Sequence, residues 1–222
     1  MKSAVLFSGG KDSTYAAYLA KQNNHTLSVL LSIESQNKES YMFHTPSISQ
    51  VKKQAHVMNI PLLIQKTKGE KEKELNDLQT LIKQAKQQYN IESIVTGTVE
   101  STYQATRIQT ICNNLDLECF NPLWQKNQIQ LLQELLNNNF EILITGVFAY
   151  PLTKEWVGKT IDNSFITQVT ELFKKYHINP AGEGGEFETF VYNCPLFTKP
   201  LQIIKKEISG NKNSWAMEIE VI

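Results

Sequence analysis

Ala4-Val5-Leu6-Phe7-Ser8-Gly9-Gly10-Lys11-Asp12-Ser13-Thr14-Tyr15-Ala16-Ala17 is the stretch that decides how the chain is read. Its first four residues are an apolar run of the length of a buried strand. Its last residues, continued by Tyr18-Leu19-Ala20, are rich in alanine and suit a helix. Ser8 to Ser13 therefore form a tight strand-to-helix turn. Paired glycines let a backbone approach a ligand closely and turn its N–H groups inward. The helix N-terminus that follows favours an anion. Lys11 adds a full positive charge, and Ser8 and Ser13 add hydroxyl donors. Asp12 suits a phosphate nest if Mg²⁺ lies between carboxylate and phosphate. The spacing is not that of the Walker loop, which has four residues between its first glycine and its Gly-Lys pair.

Further apolar runs lie at Leu27–Ile33, Leu62–Ile64, Ile91–Thr96 and Phe140–Val147. Between them, apolar residues recur at helical spacing: Val51, Ala55 and Met58; Leu75, Leu78, Ile82 and Ala85; Ile108, Ile111, Cys112 and Leu115. This alternation predicts an α/β fold, a doubly wound parallel sheet of five strands, with Phe140–Val147 as the fifth. Glu70 to Glu74 reads as the solvated start of a helix, and Trp124 as a core anchor. The tail differs. Val191-Tyr192, Leu201–Ile208 and Trp215–Ile222 read as strands, with a turn at Gly210–Asn213. The expected division is a nucleotide-binding domain at 1–150 and a smaller unit with antiparallel strands at 151–222.

Lys+Arg and Asp+Glu both number 22, so the formal net charge is zero. A nucleic-acid partner would favour a basic excess, and none is present. Three cysteines without a Cys-x-x-Cys pair point to a reducing cytoplasm and buried thiols; Cys112 and Cys119 read as core thiols about two helical turns apart. There is no long apolar run and no signal-peptide pattern, so neither a membrane span nor secretion is expected.

Three other stretches carry chemistry. Glu39-Ser40-Tyr41-Met42-Phe43-His44 follows a strand end, where aromatic, thioether and imidazole groups could stack on a base; equally, they could anchor the loop by apolar packing. Past Gly97, Tyr103, Gln104 and Arg107 open a helix. Gln104 and Arg107 share one side of it, and Arg107 suits a phosphate or carboxylate, or an acid on its own helix. Gly182-Glu183-Gly184-Gly185-Glu186-Phe187-Glu188-Thr189 places three glycines within four residues and three carboxylates within six. Glycines so dense imply special backbone angles. Carboxylates so dense imply a cationic neighbour or a metal.

Ser8–Ser13 resembles the phosphate signature of the N-type ATP pyrophosphatases, which cleave ATP between its α- and β-phosphates. Joined to Gly182–Thr189, it makes the chain resemble the diphthine–ammonia ligase family within that group. The likeness extends to Glu39–His44, Ser101–Gln104 with Arg107, Leu123-Trp124, Trp156-x-Gly158 and Cys194–Phe197. It departs at Thr98, where many members are acidic, and at Gly146, where some carry Lys. The resemblance implies a Rossmann-like fold and an ATP-dependent amidation in the cytoplasm. Diphthine on translation elongation factor 2 would be activated as an acyl-adenylate and then take ammonia. In that scheme Ser8, Gly9, Gly10, Lys11, Asp12, Ser13, Met42, Phe43, His44 and Gly97 would hold ATP, with Asp12 on Mg²⁺. Tyr103, Gln104, Arg107, Glu183, Glu186, Glu188 and Thr189 would meet the substrate. Lys11, Asp12 and Glu186 would serve the chemistry, with one of the acidic-loop carboxylates, Glu186 among them, as the base. The alternatives are a relative acting on tRNA thiolation or a small molecule, and a nucleotide sensor without catalysis.

Overall fold

The computed structural model describes residues 1–35, 48–68 and 73–222. Met42, Phe43 and His44, and the rest of the proposed adenine loop, lie outside the described residues. The chain runs β1 (Lys2–Leu6), α1 (Lys11–Gln22), β2 (Thr26–Ser35), α2 (Ile48–Met58), β3 (Leu62–Thr67), α3 (Lys73–Tyr89), β4 (Ser93–Val95), α4 (Thr102–Asn114) and β5 (Glu118–Phe120). These strands form one parallel sheet in the order β3-β2-β1-β4-β5. The order reverses direction at β1, between β2 and β4. In open parallel sheets that crevice beyond the strand ends is where ligands sit.

Contacts divide the chain into two compact units: Met1–Ser8 with Asp12–Trp124, and Gly9–Lys11 with Gln125–Ile222. In the first unit, alternate faces of the strands meet the apolar stripes of α3 and α4. Val29, Leu31, Leu78, Ile82, Ile94, Ile108 and Ile111 are packed there, all nearly or fully buried. Each such side chain contributes about 1.5–3 kcal/mol. Glu74 is buried in the first turn of α3, not solvated, at the helix end that favours a carboxylate. Leu123 fills the core position that was read onto Trp124, which is exposed.

The second unit holds α5 (Gln128–Asn137), β6 (Glu141–Val147), α6 (Asn163–Tyr176), β7 (Phe187–Asn193), β8 (Ile203–Asn211) and β9 (Ser214–Val221). Its sheet is antiparallel, ordered β7-β6-β9-β8. The run Phe140–Val147 is therefore not the fifth parallel strand. That place belongs to β5, which is only three residues long, and the second unit opens at Gln125 rather than at 151. β8 continues through Asn211, so the expected turn shrinks to Lys212-Asn213. No helix among the described residues is long and apolar enough to cross a membrane.

Candidate active site

In the first unit the turn after β1 is closed by its own hydroxyls. The Ser8 N–H donates to Ser13 Oγ at 3.2 Å, and the two hydroxyls are 3.1 Å apart. Asp12 is half-buried in the first turn of α1. The loop after β4 comes against this turn. A Cβ on Gly97 would lie 2.7 Å from both Asp12 C and Ser13 N, so only glycine permits the approach. Sequence reading found Gly97 but missed its two neighbours. Thr96 and Thr98 are buried, their hydroxyls hydrogen-bonded at 2.9 Å. Hydroxyl residues around a glycine are common turn chemistry, and only coordinates show them facing each other.

Further along, Ser101 caps α4 by accepting the Gln104 N–H. The Arg107 guanidinium lies 3.5 Å from the centre of the Tyr103 ring, a cation–π stack that fixes its plane. Gln104 is half-buried on the same first turns. The three residues expected to meet substrate thus share the start of one helix.

The second unit contains Gly9–Lys11 and the acidic loop, and it brings them together. The Val191 N–H donates to the Gly9 carbonyl at 3.1 Å. The Lys11 N–H donates to Thr189 Oγ1 at 3.0 Å. Lys11 Nζ lies 3.6 Å from a Glu183 carboxylate oxygen, with both side chains largely out of solvent, and 5.9 Å from the Phe187 ring centre. Gly9 takes φ +81°, the left-handed backbone expected of the glycine pair. β7 therefore holds the glycine turn at two backbone points and supplies its lysine with a counter-charge.

The acidic loop is built by one of its own carboxylates. Glu186 Oε1 accepts the Asn179 N–H at 2.8 Å, and Oε2 accepts the Gly184 N–H at 2.9 Å. Gly182 and Gly185 both have positive φ, and the Gly185 N–H closes a turn on the Gly182 carbonyl. This arrangement adds to the role expected for Glu186. Each of its oxygens accepts one loop amide, so the carboxylate also holds the shape of the loop. Glu188 is half-buried on β7, opposite Gly146 of β6. Thr189, expected at the substrate, instead caps the Lys11 amide.

The cysteines are not a pair on one helix. Cys112 sits on α4 and Cys119 on β5, and the two thiols are hydrogen-bonded. That bond, with Cys112 as donor, raises the Cys112 pKa and lowers that of Cys119. Burial pushes the Cys194 thiol up to about 12. Among the described residues, no group of three or more His, Cys, Asp and Glu could hold a metal ion.

Fold and loop together define an α/β protein with a glycine turn after the strand at which a parallel sheet switches direction. The family description "diphthamide synthase N-terminal domain" matches residues 1–119, and "diphthamide synthase C-terminal domain" matches 127–221. The diphthine–ammonia ligase of Bos taurus is 33% identical over 227 residues, covering 94% of this chain and 85% of that protein. The Homo sapiens enzyme of the same name gives the same identity and coverage. The Schizosaccharomyces pombe one is 31% identical over 94% of this chain and 37% of its own length. A solved structure described as a predicted subunit of tRNA methyltransferase from Methanocaldococcus jannaschii aligns at 16% identity, over 88% of this chain and 98% of that one, with a TM-score of 0.46. The chain belongs to the diphthamide synthase family, whose named members are carbon–nitrogen ligases.

Proposed function

We propose that this protein carries out the ATP-dependent amidation of diphthine on translation elongation factor 2, with ammonia as the nitrogen donor, in the cytoplasm. The observation that carries the reading is the tie between the two motifs within one unit: Val191 to Gly9, Thr189 to Lys11, and Glu183 to the Lys11 ammonium. A nucleotide met by Gly9–Lys11 and a substrate met by the acidic loop are thereby served by adjoining groups of that unit.

In this scheme the diphthine carboxylate attacks the α-phosphorus of ATP, giving an acyl-adenylate and pyrophosphate. Lys11 meets the negative charge that builds on the leaving phosphates. The glycine turn offers backbone N–H groups to the same oxygens. Ammonia then attacks the acyl carbon and AMP leaves. A carboxylate of the acidic loop, Glu183, Glu186 or Glu188, takes the proton that ammonia loses. Gln104 and Arg107 orient the carboxyl group or the nucleotide.

Mg²⁺ fits as an ion brought by ATP. Asp12 would hold it beside the phosphates, where it would neutralise their charge. A carboxylate in the first turn of α1, next to the Ser13 hydroxyl, is the hard oxygen donor that Mg²⁺ takes. The three cysteines are free thiols, Cys112 and Cys194 buried and Cys119 half-buried, and give no support to a thiolation reading.

The test is exchange of labelled pyrophosphate into ATP in the presence of diphthine-bearing elongation factor 2. Exchange should require that factor, and Lys11→Ala should slow it on the order of 10²–10³-fold. Exchange without the factor, or a fully active Lys11→Ala protein, would contradict the reading.

A further inference from the structure

The proposed substrate is a side chain on a folded protein. An enzyme of that kind needs a contact surface around its acceptor site; specific protein interfaces bury about 800 Å² per partner, centred on a few aromatic anchors. One surface in the second unit has that chemistry and adjoins the acidic loop, along the chain through α6 and in space through Phe148. Tyr150 is 64% exposed and Phe173 is 46% exposed. The Tyr150 and Tyr176 rings meet edge to face, with centres 5.4 Å apart. Phe173 lies one helical turn before Tyr176 on α6.

Two links tie these rings to the loop. α6 ends at His177, in left-handed backbone, with its N–H on the Phe173 carbonyl; the chain then enters the loop at Ile178. Two residues before Tyr150, the Phe148 N–H donates to the Glu186 carbonyl at 2.8 Å. The Tyr150 and Phe173 rings leave much of their apolar surface in water. Their rim is basic. Lys174, Lys175 and His177 are exposed, and Lys175 Nζ stands 5.0 Å over the Tyr176 ring. Among the rim cations, Lys174 has a local acid, Glu171 at 2.9 Å.

We propose that Tyr150, Phe173 and Tyr176, with the Lys174–Lys175 rim, form the docking surface for the protein substrate. The partner surface would be apolar and acidic around the acceptor residue. This rests on the proposed function, because it assumes a protein substrate. It assigns the aromatic residues to binding and not to the chemical steps.

The experiment measures KM and kcat for diphthine-bearing elongation factor 2 with the wild-type protein, a Tyr150→Ser/Phe173→Ser double variant and a Lys174→Glu/Lys175→Glu double variant. Both variants change exposed side chains, and thermal unfolding checks that each is folded. KM for the factor should rise at least tenfold in both, with kcat within about twofold and KM for ATP unchanged. The wild-type KM should also rise with salt, and this dependence should weaken in the charge-reversed protein. Unaltered KM for the factor in folded variants overturns the docking surface while amidation by the wild type keeps the function. A parallel rise in KM for ATP also overturns it, by placing the rings at the nucleotide. Competition by total RNA at low concentration overturns it in favour of a nucleic-acid surface. If the wild type neither binds nor amidates the factor, the function falls first and the docking surface with it.

Discussion

Glu186 is the residue whose role changes most between sequence and structure. As one of three acids in a short glycine-rich loop it reads as a base. In the fold it accepts two backbone N–H groups, from Asn179 and Gly184, and a Cβ on Gly184 would come within 2.7 Å of its Oε1. Replacing the carboxylate by an amide puts an N–H₂ against one of those donors, at a cost of about 1–3 kcal/mol in the loop. Glu186→Gln should therefore raise amide hydrogen exchange at Asn179 and Gly184, and raise KM for the protein substrate. Unchanged protection with loss of the amide-forming step alone would make Glu186 the base and not a holder of the loop. A second residue-scale consequence concerns the thiols. With its pKa lowered by the Cys112 hydrogen bond, Cys119 holds more thiolate at mildly alkaline pH than Cys112 or Cys194, whose pKa values are raised. As pH rises, iodoacetamide should label Cys119 first, as read by peptide mass spectrometry. Equal labelling of all three would show that the thiol pair does not exist in solution.

At the scale of elements, the glycine turn is held from outside as much as by its own sequence. β7 fixes Gly9 and Lys11, while the loop after β4 presses on Asp12 and Ser13. Gly97→Ala puts a methyl group into backbone that cannot retreat far, an overpacking cost of about 1–3 kcal/mol. The variant should keep its secondary structure by circular dichroism and bind ATP at least tenfold more weakly by calorimetry. Wild-type affinity would mean that this approach is unimportant for the nucleotide. The strand–turn–helix at Ser8–Ser13 was legible in sequence because strand period, glycine pair and helix formers agree over fourteen residues. Glu141–Val147 was legible as a strand but not as to its partner, since an apolar run suits parallel and antiparallel neighbours alike. β5, at three residues, is too short to show any period.

At the scale of the whole molecule, the sequence shows two kinds of architecture, and the boundary between them is where it misleads. Alternating strand and helix up to β5 gives the parallel sheet. The antiparallel unit begins at Gln125 and takes Gly9–Lys11 as its own. That last feature is invisible to any reading along the chain, because it consists of hydrogen bonds spanning some 180 residues: Lys11 to Thr189 and Gly9 to Val191. The proposed function requires this protein to turn a carboxylate into an amide on a protein substrate. The most direct measurement is intact-peptide mass spectrometry of diphthine-bearing elongation factor 2 after incubation with purified protein, ATP, Mg²⁺ and an ammonium salt. Conversion of the carboxylic acid to its amide, about 1 Da lighter when the ammonium salt is of ordinary ¹⁴N, with one AMP released per amide, is the predicted result. An unchanged peptide mass while the same protein consumes ATP would contradict it.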